Sequence, residues 1–222
     1  MRHLAQQPSL KISEVFFSIQ GEGIYIGLPT IFIRLFGCNL RCAWCDTTYA
    51  RIEEEGKWRE LSPHEILKAV SCYSSQHVCI TGGEPLLQQE IYTLILLLRE
   101  RGYTISVETN GSLPLQKLVK MPVTISMDIK TPSSGMEKKM LFENISLLRK
   151  EDMLKFVIAD EIDFKYSCEV LKTYPTKACV VFTPVGGKNL GWLVSKVLEK
   201  EIEVRVLPQL HKFVFPEKER TI

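Results

Sequence analysis

Thr30-Ile31-Phe32-Ile33-Arg34-Leu35-Phe36-Gly37-Cys38-Asn39-Leu40-Arg41-Cys42-Ala43-Trp44-Cys45 carries two signals back to back. The first half alternates like a strand, with Ile31, Ile33 and Leu35 on one face and Phe32, Arg34 and Phe36 on the other. The second half places three cysteines at C-x3-C-x2-C spacing directly after the strand ends. A short loop can turn three such thiolates toward one metal centre. A structural zinc ion usually takes four protein ligands, and so does an iron–sulfur cube. No fourth cysteine lies nearby, so three ligands on a cube would leave one iron open to a group that is not protein.

Working outward, strands and helices alternate. Leu10–Ile19 reads as a strand broken by Gln20-Gly21-Glu22-Gly23, and residues 48–61 read as an exposed, charged excursion. Ser62-Pro63-His64-Glu65 is a helix start, with Ser62 as N-cap, Pro63 in the first turn and Glu65 closing a capping box. Strands are expected at 78–81, 103–107, 123–127, 154–158, 178–182 and 204–207. Helices are expected at 62–73, 88–101 (closed by Gly102), 137–149, 162–173 and 190–200. This rhythm implies right-handed βαβ units and a parallel sheet in an α/β fold, either an open doubly wound sheet or an incomplete barrel. Unusual polar residues follow the strands: Cys38, Thr81 to Glu84, Glu108 to Asn110, Asp128 with Lys130, and Thr183. Parallel α/β folds place their sites at the carboxyl ends of strands, so these residues are expected to share one mouth.

Composition narrows the class. The chain has 222 residues, 45% hydrophobic and 24% charged, with a formal charge of +2. One domain over 1–222 is expected, and the charge gives no sign of nucleic-acid binding. The opening Met1 to Pro8 lacks the apolar core of a signal peptide, and the apolar run at 91–98 is too short to span a membrane. A cytoplasmic protein is expected, in which seven cysteines read as ligands or free thiols and not as a disulfide framework. Cys72, Cys79, Cys168 and Cys179 are expected to be ordinary core thiols.

Thr81-Gly82-Gly83-Glu84-Pro85 follows a buried strand, where a glycine pair can expose backbone groups to a closely approaching ligand and Glu84 can accept from an ammonium group. Together with Cys38-x3-Cys42-x2-Cys45 and the aromatic Trp44, this resembles the radical S-adenosylmethionine (SAM) superfamily. The resemblance implies a 4Fe-4S cluster on Cys38, Cys42 and Cys45, its fourth iron chelated by SAM. Reductive cleavage of SAM would then yield a 5′-deoxyadenosyl radical that abstracts hydrogen.

A narrower resemblance covers most of the chain. Phe17-Ser18-Ile19-Gln20-Gly21-Glu22-Gly23, Phe32-Ile33-Arg34, Cys42-Ala43-Trp44-Cys45-Asp46-Thr47, Glu108-Thr109-Asn110-Gly111 and Arg205-Val206-Leu207-Pro208-Gln209-Leu210-His211 are similar, in order, to the 7-carboxy-7-deazaguanine synthase family. That family implies an incomplete, TIM-like (β/α)6 barrel, usually a homodimer. It implies a lyase of queuosine biosynthesis, a tRNA modification pathway, which contracts the ring of 6-carboxy-5,6,7,8-tetrahydropterin with loss of ammonia. SAM is regenerated, Mg²⁺ is required, and an electron donor such as flavodoxin is expected.

Residue chemistry suits this. Arg34 stands on an otherwise apolar strand, and a buried guanidinium needs an anion: the substrate, or an internal carboxylate such as Glu22 or Glu108. Gln20 can donate and accept, and Glu22 can accept from ring N–H and amino groups. By resemblance Ile19, Gln20, Gly21, Glu22, Arg34, Thr81 and His211 lie on the substrate side, and Thr47 meets Mg²⁺. Trp44, Gly83, Glu84 and Glu108 are expected on the cofactor side. Ser126, Asp128 and Lys130 join them, although the family commonly has a shorter Ser-Pro-Lys at that point. Which of those three meets the cofactor stays open, and Asp128 and Lys130 can also pair with each other. Eleven residues follow His211, so a chain-terminal contact with substrate is not carried over. Two other readings share some of these features: an activase of glycyl-radical enzymes on the same cofactor, and a non-enzymatic zinc or cluster module.

Overall fold

The structure, a computed structural model, describes residues 8–54 and 56–215. The expectations for the first residues and for the end of the tail after His211 lie outside the described residues.

Nine strands form one sheet among the described residues. They are β1 (Leu10–Ile19), β2 (Pro29–Leu35), β3 (Arg59–Leu61), β4 (His77–Gly82), β5 (Thr104–Thr109), β6 (Thr124–Ile129), β7 (Met153–Ile158), β8 (Cys179–Pro184) and β9 (Arg205–Val206). Their order is β3-β1-β2-β4-β5-β6-β7-β8-β9. From β2 through β9 every pairing is parallel, while β1 runs antiparallel to both β2 and β3. The last strand does not pair back to the first, so the barrel stays open, as an incomplete (β/α) barrel.

Five α-helices accompany the sheet among the described residues: α1 (Pro63–Val70), α2 (Ile91–Glu100), α3 (Glu161–Thr173), α4 (Leu190–Glu199) and α5 (Leu210–Val214). The capping box forms at α1: Glu65 N–H donates to Ser62 Oγ at 3.3 Å and Ser62 N–H to the Glu65 carboxylate at 2.8 Å. Gly102, at φ +86°, ends α2 in the left-handed region.

The period-2 pattern of the strands separates core from site. Ile31, Ile33, Leu35, Ile80, Val107, Ile125, Met127, Leu154 and Phe156 join Ile66, Val70, Leu94, Leu98, Phe164 and Leu193 of the helices in one apolar cluster. The alternate positions Arg34, Thr81, Glu108, Ser126, Asp128 and Lys155 face the other way, into a cavity. Register places them side by side: Arg34 opposite Thr81, Glu108 opposite Ser126, Asp128 opposite Lys155.

Two regions depart from the sequence reading. Residues 137–149 form short 3-10 turns, Glu137–Lys139 and Phe142–Leu147, where an α-helix was expected. Met140 and Leu141 are extended, and Asn144 is fully buried and cross-links to the β5 exit. Its amide donates to the carbonyls of Gly111 and Leu113 and accepts from Leu115 N–H. That tie competes with continuous helix. The excursion at 48–61 is also more structured than expected: Ala50 is fully buried and β3 pairs with β1.

Candidate active site

The cysteine loop is held from two directions. On the incoming side, Gly37 N–H donates to Ala50 O at 2.9 Å and Cys38 N–H to Arg51 O at 3.1 Å, so the excursion braces the exit of β2. On the outgoing side, Ala43 N–H donates to Ser134 O at 3.0 Å, docking the loop on the segment after β6. Cys38, Cys42 and Cys45 are half-buried free thiols lining a cavity of about 220 Å³ with Trp44. Burial pushes the Cys38 and Cys42 thiols up, opposed by the Lys130 ammonium. Metal binding is what would displace their protons.

Gly82 and Gly83 sit where the end of β4 meets the exit of β2. A Cβ on Gly82, at φ +148°, would stand 2.2 Å from Leu35 O, and one on Gly83 2.1 Å from Gly37 O. These glycines therefore let two backbones touch as well as lining the cavity. Gly83→Ala is expected to push the Cys38 loop outward, lowering stability by roughly 1–3 kcal/mol. Thermal unfolding together with the iron content of reconstituted protein checks this. Unchanged values for both would show that the contact is not tight.

A second cavity, of about 230 Å³, is lined by Ile19, Gln20, Gly21, Glu22, Arg34, Thr81, Glu108, Ser126 and His211. The two cavities share Glu22, Asp46, Thr47, Gly82, Gly83, Asn110, Asp128, Lys130, Lys155 and Lys212 as common wall. Gln20 donates to Glu108 at 3.2 Å, and the Thr81 hydroxyl donates to the same carboxylate at 2.7 Å. Glu108 and Ser126, expected on the cofactor side, line this second cavity and not the thiol cavity.

Two expectations are corrected. Arg34 finds its anion in Glu14, at 2.7 Å from Nε, and not in Glu22 or Glu108. Tyr49 OH donates to the same Glu14 oxygen at 2.7 Å, and the rings of Phe16 and Tyr49 lie over the guanidinium. Glu84 is fully buried and lines neither cavity. Its carboxylate accepts from Leu86 N–H, Thr109 Oγ1 and Asn110 N–H, at 2.9, 2.9 and 2.7 Å. It ties the exits of β4 and β5 together, which leaves no oxygen facing a ligand amine.

The common wall carries alternating charge. Lys155 donates to Glu22 at 2.5 Å and stands 3.4 Å from Asp128, and Lys130 bridges the same Asp128 oxygen at 2.8 Å. The Asp128–Lys130 pair read from sequence thus forms, with Lys155 as an unforeseen third member. Burial alone would push the Glu22 carboxyl up, but Lys155, with His211 and Gln209, outweighs it and holds the group at about 2. Gln209 Nε2 donates to the other Glu22 oxygen at 2.7 Å. At the rim, Leu210 N–H donates to Gly21 O at 2.8 Å, and Lys212 pairs with Asp46 at 3.2 Å, so α5 straps the mouth.

The donors fit the expected groups. No fourth cysteine lines the thiol cavity, and among the described residues no three His, Cys, Asp or Glu side chains converge on a single metal ion. A cluster held there by Cys38, Cys42 and Cys45 would keep one iron open to a ligand. Asp128 Oδ1 and Gln209 Oε1 are buried acceptors without a partner, on residues that line this cavity, and each calls for a donor from a ligand. The Thr47 side chain caps no backbone N–H; its hydroxyl stands 3.9 Å from Cys45 Sγ and lines both cavities, where it can also meet a hard cation.

Comparison with known proteins agrees with this geometry. The radical SAM superfamily matches residues 32–158. A 7-carboxy-7-deazaguanine synthase from Methanospirillum hungatei is 40% identical over 95% of this chain and 87% of its own. One from Thermoplasma acidophilum is 38% identical over 92% of this chain and 96% of its own. The crystal structure of QueE from Escherichia coli matches with a TM-score of 0.73 and 25% identity, covering 91% of this chain and 95% of that one. A looser likeness to SuiB of Streptococcus suis, at TM-score 0.54 and 14% identity, concerns the fold alone. Such identity across nearly the full length of both chains goes beyond a shared barrel: the chain belongs to the 7-carboxy-7-deazaguanine synthase family of the radical SAM superfamily.

Proposed function

We propose that this chain is a carbon–nitrogen lyase converting 6-carboxy-5,6,7,8-tetrahydropterin to 7-carboxy-7-deazaguanine with loss of ammonia. The observation that carries the reading is the common wall: a cavity with three thiols opens beside a polar cavity, and both are bounded by Glu22, Asp128, Lys130 and Lys155. When bound, the 4Fe-4S cluster and SAM supply a carbon-centred radical able to abstract hydrogen from C6 of the pterin.

The chain's residues do the rest. Cys38, Cys42 and Cys45 hold the cluster, and Trp44, Gly83, Asp128 and Lys130 bound the space for SAM. Gln20, Glu22 and Glu108 read the donor and acceptor edge of the pterin, with Thr81 holding Glu108 in place. Arg34 keeps its charge through Glu14 and offers its remaining N–H groups to the cavity. Thr47, on the common wall, would hold Mg²⁺ together with the substrate carboxylate. His211 and Gly21 close the rim, and Ile19 supplies an apolar edge. A homodimer, a one-electron donor such as flavodoxin and a cytoplasmic setting belong to the same reading, on the strength of the family resemblance. No helix among the described residues is long and apolar enough to cross a membrane.

Anaerobic turnover with the tetrahydropterin, SAM, a reductant and Mg²⁺ is expected to release ammonia and a 7-deazapurine without net consumption of SAM. Pterin binding without turnover under these reducing conditions would overturn the assignment.

A further inference from the structure

The indole of Trp44 walls the thiol cavity, and what fixes it lies outside both cavities. Trp44 Nε1–H, which can only donate, bonds Ser133 Oγ at 3.1 Å. The Ser133 hydroxyl in turn donates to Asp163 Oδ2 in a very short contact. Asp163 sits in the first turn of α3 and is fully buried. It also accepts from Ser133 N–H and Ala159 N–H, both at 2.9 Å. The direction of every proton in this chain is therefore fixed: indole to hydroxyl, hydroxyl to carboxylate.

The segment held by Asp163 is the one on which the cysteine loop rests. Ser134 O accepts from Ala43 N–H, and Met136 Sδ accepts from Arg41 N–H at 3.4 Å. Lys130 Nζ lies 5.4 Å from the centre of the Trp44 ring, and that ammonium is already committed to Asp128. Trp44 thus meets both a fixed cation and a fixed acceptor, with one ligand thiol as its chain neighbour.

We propose that Ser133 and Asp163 are positioning residues for the cofactor: the Asp163 carboxylate orients the Ser133 hydroxyl, and the hydroxyl orients the Trp44 indole against bound SAM. The inference rests on the reading that SAM occupies the thiol cavity. Ser133→Ala removes the link to Trp44 together with the hydroxyl's own bond to Asp163, while the backbone N–H groups of residues 133 and 159 keep Asp163 tied to the segment. Ser133→Thr keeps the hydroxyl. Asp163→Asn puts an amide donor where Ser133 or Ala159 now donates, and so disturbs the segment as well.

The test uses reconstituted, reduced protein, with SAM titrated and followed through the electron paramagnetic resonance spectrum of the cluster. Ser133→Ala is expected to keep the iron content of the parent and to weaken SAM binding about fivefold, the effect of one lost hydrogen bond. Ser133→Thr is expected to restore parental binding, and Asp163→Asn to lower iron content also. A Ser133→Ala variant that binds SAM within twofold of the parent, with the same spectral response, overturns the positioning role. A parent spectrum unmoved by SAM would instead overturn the reading of the cavity itself.

Discussion

Cys42→Ala is expected to fold as the parent does, to hold no SAM-responsive cluster, and to turn over at least about 10⁴-fold more slowly, because the cofactor carries the hard chemistry. The fold should survive because none of the bonds that anchor the loop uses this side chain. Gly37, Cys38 and Ala43 hold through backbone N–H groups, and Trp44 holds through its indole. A half-buried thiol replaced by alanine should change stability by about 1 kcal/mol or less. Chemistry should not survive, since two thiols cannot present a cube with one open iron and no other cysteine lines that cavity. Cys72→Ala is the matched control: it is exposed, far along the chain, and should leave turnover within about twofold. Iron analysis and the spectrum with and without SAM decide the matter. Full iron and near-normal turnover in Cys42→Ala would mean that the loop is not the metal site.

What the sequence disclosed about the site, it disclosed through contrast with local rules. Arg34 stands out because it interrupts an apolar alternation, and the structure turns it into the cavity as that interruption suggests. Lys155 interrupts Met153-Leu154-Phe156-Val157 in the same manner and lines both cavities. The signal that found Arg34 could have found Lys155. The capping box at Ser62 was legible because it is local, needing only residues three apart. Glu84 was misread because adjacency to a glycine pair says nothing of side-chain direction. Its burial is set by Thr109 and Asn110, residues twenty-five positions on and more. The same limit hid Glu14 as the partner of Arg34, because antiparallel register brings them opposite each other. The expected helix at 137–149 failed for a tertiary reason also, since Asn144 serves the neighbouring β5 exit. Spacing conveys which residues share a face. Which carboxylate meets which cation is decided by register between strands.

Lys155→Met is expected to cost about 3 kcal/mol of stability, because it strands two carboxylates that the ammonium now serves together. The loss should stay at the low end for a broken buried pair, since Glu22 keeps Gln209 and Asp128 keeps Lys130. Turnover should fall about 100-fold, because Glu22 and Asp128 both face the reacting space and a shift of about 1 Å there has that effect. The pH dependence separates this account from simple loss of packing. In the parent, Glu22 titrates at about 2 against an ordinary value of 4.5. A depressed carboxylate contributes stability that is fully present above the unfolded value and is lost as pH falls toward the folded one, so the parent should weaken only below about pH 4.5. Without Lys155 the largest influence on Glu22 is burial, which raises the carboxyl. The variant therefore lacks the stability that the depressed carboxylate gives the parent above about pH 4.5. The gap between parent and variant should accordingly close as pH falls from about 5 to about 2, measured by denaturant unfolding at each pH. A gap that stays constant over that range would show that Lys155 acts through its methylene stem alone, and that the charge alternation across the common wall does not organise the site.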